Sequence, residues 1–144
     1  QAPSKLDNPL AVHFYNDIEE LKKLQHIIEL FCKEHQLDAA MLNMLNLVLE
    51  ELISNTIFYG YQDPNDHYIF VNLTHTPKHI ECSIEDDGIP FIPLTDSLTV
   101  DTEADIEDRP VGGLGIHIVE NMVSSITYNR EENKNKIKFI KELT

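Results

Sequence analysis

Residues 112–119 read Gly-Gly-Leu-Gly-Ile-His-Ile-Val, three glycines in four positions followed at once by an apolar, helix-like segment. A helix N-terminus leaves backbone N–H groups unpaired and carries a positive partial charge. Glycines just before it let the backbone approach a bulky anion and take a positive φ at no steric cost. The run therefore predicts a phosphate cradle at the start of a helix, Ile116 to Val123. Gly-rich loops also occur as ordinary turns, so the reading depends on what else the chain carries.

Two clusters upstream bear on it. Glu50-Glu51-Leu52-Ile53-Ser54-Asn55 sits inside the helix-period run Met41 to Ile57. There Leu42, Leu45, Leu49, Leu52 and Ile53 make one apolar stripe. Glu51 and Asn55 are four apart and project from one helical face. A carboxylate beside an amide oxygen suits the positioning of a hydroxyl and a hydrated Mg²⁺. An isolated pair of this kind also fits a solvated helix face. The second cluster, Ile84-Glu85-Asp86-Asp87-Gly88-Ile89-Pro90-Phe91, ends the alternating segment Ile80-Glu81-Cys82-Ser83-Ile84. Asp followed by Gly and Pro at a strand end marks a sharp exit into a loop. Such an Asp can accept a hydrogen bond from a ligand amino group, with Gly88 leaving room for a flat ring.

In this order the three clusters resemble the GHKL (Bergerat-fold) ATPases, and among them the small anti-sigma-factor serine/threonine kinases. The resemblance runs from about Val12 to Leu143. It sets Glu51 to Asn55 against the N box, Asp86 to Phe91 against the first glycine box and Gly112 to Gly115 against the second. It implies that Asn55 coordinates Mg²⁺ on the phosphates and that Glu51 orients or deprotonates the nucleophile. It implies that Asp86 bonds the adenine amino group beside Gly88, and that Gly112, Gly113, Leu114 and Gly115 contact the phosphates of ATP or ADP. Ile92 to Val111, long, acidic and without periodicity, would be the lid over the nucleotide. Arg109, its one basic residue, is a candidate γ-phosphate contact or a solvated loop arginine. Tyr59 stands where relatives usually carry His, Thr56 replaces a common alanine, and Pro90 replaces the second glycine of the strict first box. Glu50 adjoins Glu51, so the four-residue spacing to Asn55 selects the base.

Composition agrees. A chain of 144 residues with 42% hydrophobic content suits one domain, 1–144, with a real core. No apolar run approaches the ~20 residues that span a bilayer, and Gln1 opens no signal segment. No membrane role is expected. Cys32 and Cys82 lie apart and fit buried, reduced thiols in a cytoplasmic protein. A formal net charge of −14 argues against direct nucleic-acid binding. His75 and His79 flank a turn without a third ligand nearby and read as surface residues rather than a metal pair. His117 can approach a phosphate, but helix packing is its expected role.

The pattern predicts a strand over Leu10 to Tyr15, then a helix capped by Asn16 and running to about His35. Leu21, Leu24, Ile27, Ile28 and Phe31 would be its buried face. Asp38 would cap the helix that carries Glu51 and ends near Gly60. Tyr68 to Thr74 and His79 to Glu85 read as neighbouring antiparallel strands. Ser125 to Arg130 and Lys136 to Leu143 would close a hairpin around Glu132 to Asn135. The fold class expected is α/β (α+β): a two-layer sandwich, its mostly antiparallel mixed sheet covered on one face by about three helices.

The function the resemblance implies is an ATP-dependent kinase that phosphorylates a serine or threonine of an anti-sigma-factor antagonist protein and sequesters a sigma factor. Relatives of this type are often dimers, so a homodimer is a further expectation. The alternative is a non-catalytic, nucleotide-gated binding module. A histidine-kinase catalytic domain is a weaker option, since no helix with a phospho-accepting His precedes the opening strand.

Overall fold

The computed structural model of the protein describes residues 9–90 and 113–143. Strand β1, Leu10–Tyr15, falls where its alternation places it. The cap after it is not Asn16. The Asp17 carboxylate accepts the Glu19 N–H (3.0 Å) and opens a short 3-10 turn, Ile18–Glu20, before helix α1, Leu21–Glu34. Asn16 is engaged elsewhere. Its amide oxygen accepts the His67 N–H (3.1 Å), and its own backbone N–H donates to the His67 carbonyl (3.1 Å). A tertiary bridge to the start of β2 has taken a residue whose local preference was to cap.

Helix α1 buries Leu24, Ile28, Phe31 and Cys32, while Leu21 and Ile27 are half-buried. It stops at His35, and Gln36 turns left-handed (φ 57°) so that the Leu37 N–H can reach the Cys32 carbonyl (2.9 Å). Helix α2, Ala39–Tyr59, is capped as expected by Asp38, which accepts the Met41 N–H (3.0 Å). It is the central helix and contacts both α1 and the third helix, α3, Gly113–Met122. Helix α3 therefore begins inside the glycine run, earlier than Ile116, and ends at Met122 instead of Val123. Gly113 and Gly115 lie in the helix and no described glycine takes a positive φ, while Gly112 lies outside the described residues.

Strands β2 (Tyr68–His75), β3 (His79–Asp86), β4 (Ser125–Glu131) and β5 (Lys134–Glu142) join β1 in the order β1-β2-β3-β5-β4. Every described pairing is antiparallel. Alternate residues of β2 and β3 are buried, so the sheet packs one face against the helices and turns the other outward. Phe14, Ile69, Val71, Ile84 and Phe139 meet Leu45, Leu49, Leu52, Ile53 and Val119 in one core. Each such side chain contributes about 1.5–3 kcal/mol on burial. The expected two-layer α+β sandwich is the fold.

The closing hairpin is tighter than its composition suggests. Only Glu132 (φ 54°) and Asn133 (φ 64°) form its turn, a two-residue connection with both residues left-handed. Asn135, expected in the loop, lies instead in β5 directly opposite Asp86 of β3 and Arg130 of β4. That register builds one wall of the site.

Candidate nucleotide site

Three successive positions on β3, Ile80, Cys82 and Ile84, point into the core and are almost wholly buried. Asp86 continues that row, so the pleat carries a carboxylate to the end of the apolar layer, where it is 5% exposed. A buried carboxylate needs donors. Asp86 Oδ1 accepts the Gly88 N–H (2.8 Å) and the Asn135 Nδ2 amide (2.9 Å). Among the described residues Oδ2 takes no donor. Burial pushes the carboxyl above its ordinary value, and the Asn135 and Gly88 bonds pull against that.

The turn after Asp86 is held on every side. Asn135 Nδ2 also donates to the Ile89 carbonyl (2.9 Å), and Arg130 Nη1 donates to the Gly88 carbonyl (2.7 Å) and to Asn135 Oδ1 (3.0 Å). The Ile89 N–H donates to the carbonyl of Gly60, the residue that ends α2 (2.7 Å). Gly88 is required for a reason other than room for a ring: a Cβ there would run into the Gly60 carbonyl and sit 2.9 Å from Asp86 Oδ1. The exit of β3 and the end of α2 are thus in direct backbone contact. A cavity of about 340 Å³ opens beside them, lined by Gly60, Tyr61, Asp63, His67, Gly88 and Arg130 among others.

One turn back along α2, the Asn55 Nδ2 amide donates to Glu51 Oε2 (3.0 Å). Asn55 is 4% exposed and Glu51 half-buried, whereas Glu50 is exposed and lines a separate groove with Leu21 and Gln25 of α1. Of the two neighbouring glutamates, Glu51 is the one hydrogen-bonded to Asn55. The Asn55 amide oxygen takes no part in that bond. Thr56 is buried and settles its hydroxyl on the Leu52 carbonyl (3.1 Å), so a polar residue replaces the common alanine without an orphaned group. Tyr59 is half-buried beside Phe58.

Of the sequence-predicted residues, Glu51, Asn55, Asp86 and Gly88 are brought to one end of the molecule. Gly113, Leu114 and Gly115 form the first turn of α3, which packs on α2. Gly112, Arg109, Phe91 and the expected lid, Ile92 to Val111, lie outside the described residues. Two histidine expectations change. His117 is exposed, its side chain 3.7 Å from Glu120 and not packed in the core. His75 is not on the surface: it is buried, its Nδ1 3.1 Å from Nδ1 of His35. His79 points away from it, toward Glu81 (3.9 Å). No group of three metal-binding side chains occurs among the described residues. Cys32 and Cys82 are buried and free, and burial pushes the Cys32 thiol up to about 11.

Asn135 and Arg130 were missed because both sit next to turn-rich sequence. A signal exists: Asn135 precedes Ile137 and Phe139 at the two-residue spacing of the inward face. A polar residue that closes an inward-facing strand row is what Asp86 also is.

The described residues thus combine a helix with a paired carboxylate and amide, and a buried Asp at a strand exit whose turn is in backbone contact with the end of that helix. Residues 14–141 match the histidine kinase-like ATPase domain, and the chain belongs to that family. Within it, the sequence is similar to the anti-sigma F factor of Bacillus velezensis, 27% identical over 96 residues, 64% of each chain. The anti-sigma F factor of Priestia megaterium is 29% identical over 96 residues, 63% of each chain, and that of a Geobacillus species 22% over 111 residues, 74% of each. The match with the first two spans a little under two-thirds of their length. No helix among the described residues is long and apolar enough to cross a membrane.

Proposed function

We propose that the protein binds ATP or ADP with Mg²⁺ at this site and acts as a serine/threonine kinase on an anti-sigma-factor antagonist protein, while also holding a sigma factor. The observation that carries the reading is Asp86: buried, with Oδ1 committed to Gly88 and Asn135 and Oδ2 without a donor among the described residues. An adenine amino group is such a donor. Asn55, through its amide oxygen, would hold Mg²⁺, which would supply positive charge to offset that of the phosphates. Glu51, fixed by Asn55, would accept the proton of the incoming hydroxyl. The N–H groups of the first turn of α3 would receive the phosphates. The anti-sigma F factors among its relatives support the choice of partners. Cytoplasmic location and a homodimer complete the reading.

Titration with MgATP or MgADP should show saturable binding. A folded protein that binds neither at millimolar concentration overturns the proposal. Glu51→Gln should keep affinity within a few-fold and cut transfer to the cognate antagonist by about 10²–10⁴-fold. If wild type and Glu51→Gln both bind that antagonist with ATP present and leave it unphosphorylated, the protein is a nucleotide-gated clamp and not a kinase.

A further inference from the structure

His67 stands at the start of β2, between two loops that belong to the nucleotide end. Its Nε2 is 2.8 Å from Asp63 Oδ1, and its Nδ1 is 3.0 Å from Asp87 Oδ1. Ionised carboxylates only accept, so both contacts are hydrogen bonds only when both nitrogens carry a proton, that is, when the ring is an imidazolium. Tyr61 stacks on the ring (centroids 4.3 Å apart, 16° between planes), a favourable seat for a cation. The base of the strap is rigid, because Asn16 bonds both the N–H and the carbonyl of His67. Asp63 belongs to the segment leaving α2 through Gly60, and Asp87 adjoins Gly88, whose N–H caps Asp86. The other charged group lining the same cavity is Arg130, which bonds the Gly88 carbonyl.

We infer that His67 is a positioning residue of the nucleotide site, an imidazolium strap that ties the Asp87–Gly88 turn to the segment after α2 and makes nucleotide affinity fall as the solution becomes alkaline. The inference rests on the nucleotide reading of the site. The bonds to Asp63, then Asp87, raise the imidazole above its ordinary value against the cost of burial. A group raised on folding gives its full contribution at low pH and loses it as pH climbs through the raised value. Above that point Nδ1 or Nε2 faces a carboxylate with no proton between them, and one side of the strap opens.

The test is the pH profile of MgADP affinity in wild type and His67→Gln. The ligand's own titration is common to both, so the ratio of the two dissociation constants isolates His67. His67→Gln should bind about fivefold more weakly near pH 6, and the ratio should close to about one near pH 8.5. Asp63→Asn, at an exposed position, should shift the wild-type transition to lower pH. In the free protein, the ¹⁵N shifts of His67 should report two protonated nitrogens at pH 6. A ratio that stays constant across the range, or a His67 ring that is neutral at pH 6, overturns the strap while leaving the nucleotide site standing. Absence of MgADP binding by wild type at every pH defeats the strap and the site together.

Discussion

The buried face of the sheet is apolar along its middle and polar at both ends, and the two ends behave differently. At one end Asp86, Asn135 and Arg130 face one another across β3, β5 and β4. At the other, His75 at the end of β2 meets His35 at the end of α1. The histidine pair is closed: each Nδ1 is satisfied by the other, one donating and one accepting, and His35 stacks on Phe31 (4.2 Å). The Asp86 end is open, because its second oxygen has no described partner and a cavity lies beside its turn. Two clusters with similar burial thus divide into a structural joint and the proposed binding site by hydrogen-bonding capacity left unmatched among the described residues. Burial alone does not separate them.

The sharpest way to break that contrast is Asp86→Asn. The amide keeps an acceptor for Gly88 and Asn135 but places an NH₂ where Oδ2 was, so a donor faces a donor. Adenine-nucleotide affinity should drop about a hundredfold, with little change in melting temperature. Calorimetric titration and a melt together check this, and unchanged affinity would remove Asp86 from the binding site. Gly88→Ala should act on the fold first. Its methyl would force the Gly60 contact apart, at a cost of about 2–3 kcal/mol in denaturant unfolding.

At the closed end, burial and then the charge of His35 hold His75 below the ordinary imidazole value. A depressed base gives stability that is fully present above its unfolded value, about 6.5, and lost as pH falls below it. The sign is opposite to that of His67. His75→Leu should cost about 2 kcal/mol at pH 8 by orphaning His35 Nδ1, yet unfold less steeply in acid than wild type. Parallel stability profiles would contradict this account of the pair. Arg130→Met should have the smallest effect. Asn135 keeps Tyr128 as a donor to its oxygen and keeps its own bonds to Asp86 and Ile89, so only the Gly88 carbonyl is released. A roughly threefold loss of nucleotide affinity is expected.

The outline of the fold was legible where local chemistry is unopposed. The strand at Leu10–Tyr15, the Asp38 cap and the long helix around Glu51 follow from alternation, a side-chain acceptor and helical spacing. Reading failed where a distant partner outbid a local preference. Asn16 looked like a cap but is bonded to His67, and the Glu132 to Asn135 stretch looked like a loop but gives β5 its first two residues. His75 looked exposed because its partner, His35, is forty positions earlier in the chain.

The sequence by itself determined the local placing of the groups on which the proposed chemistry rests. A helix fixes the distance from Glu51 to Asn55, and a pleat fixes which side of the sheet Asp86 shares with Ile84, because both are short-range consequences of backbone geometry. Only the tertiary structure decided what surrounds them. Asn135 reaches Asp86 through strand register and Arg130 reaches Asn135 and Gly88, Gly60 reaches Gly88 at the β3 exit, and His67 reaches Asp87 across the cavity mouth. Those contacts join residues 20 to 49 positions apart. Their existence depends on the closing of a whole core, a cooperative event that no local window of sequence contains.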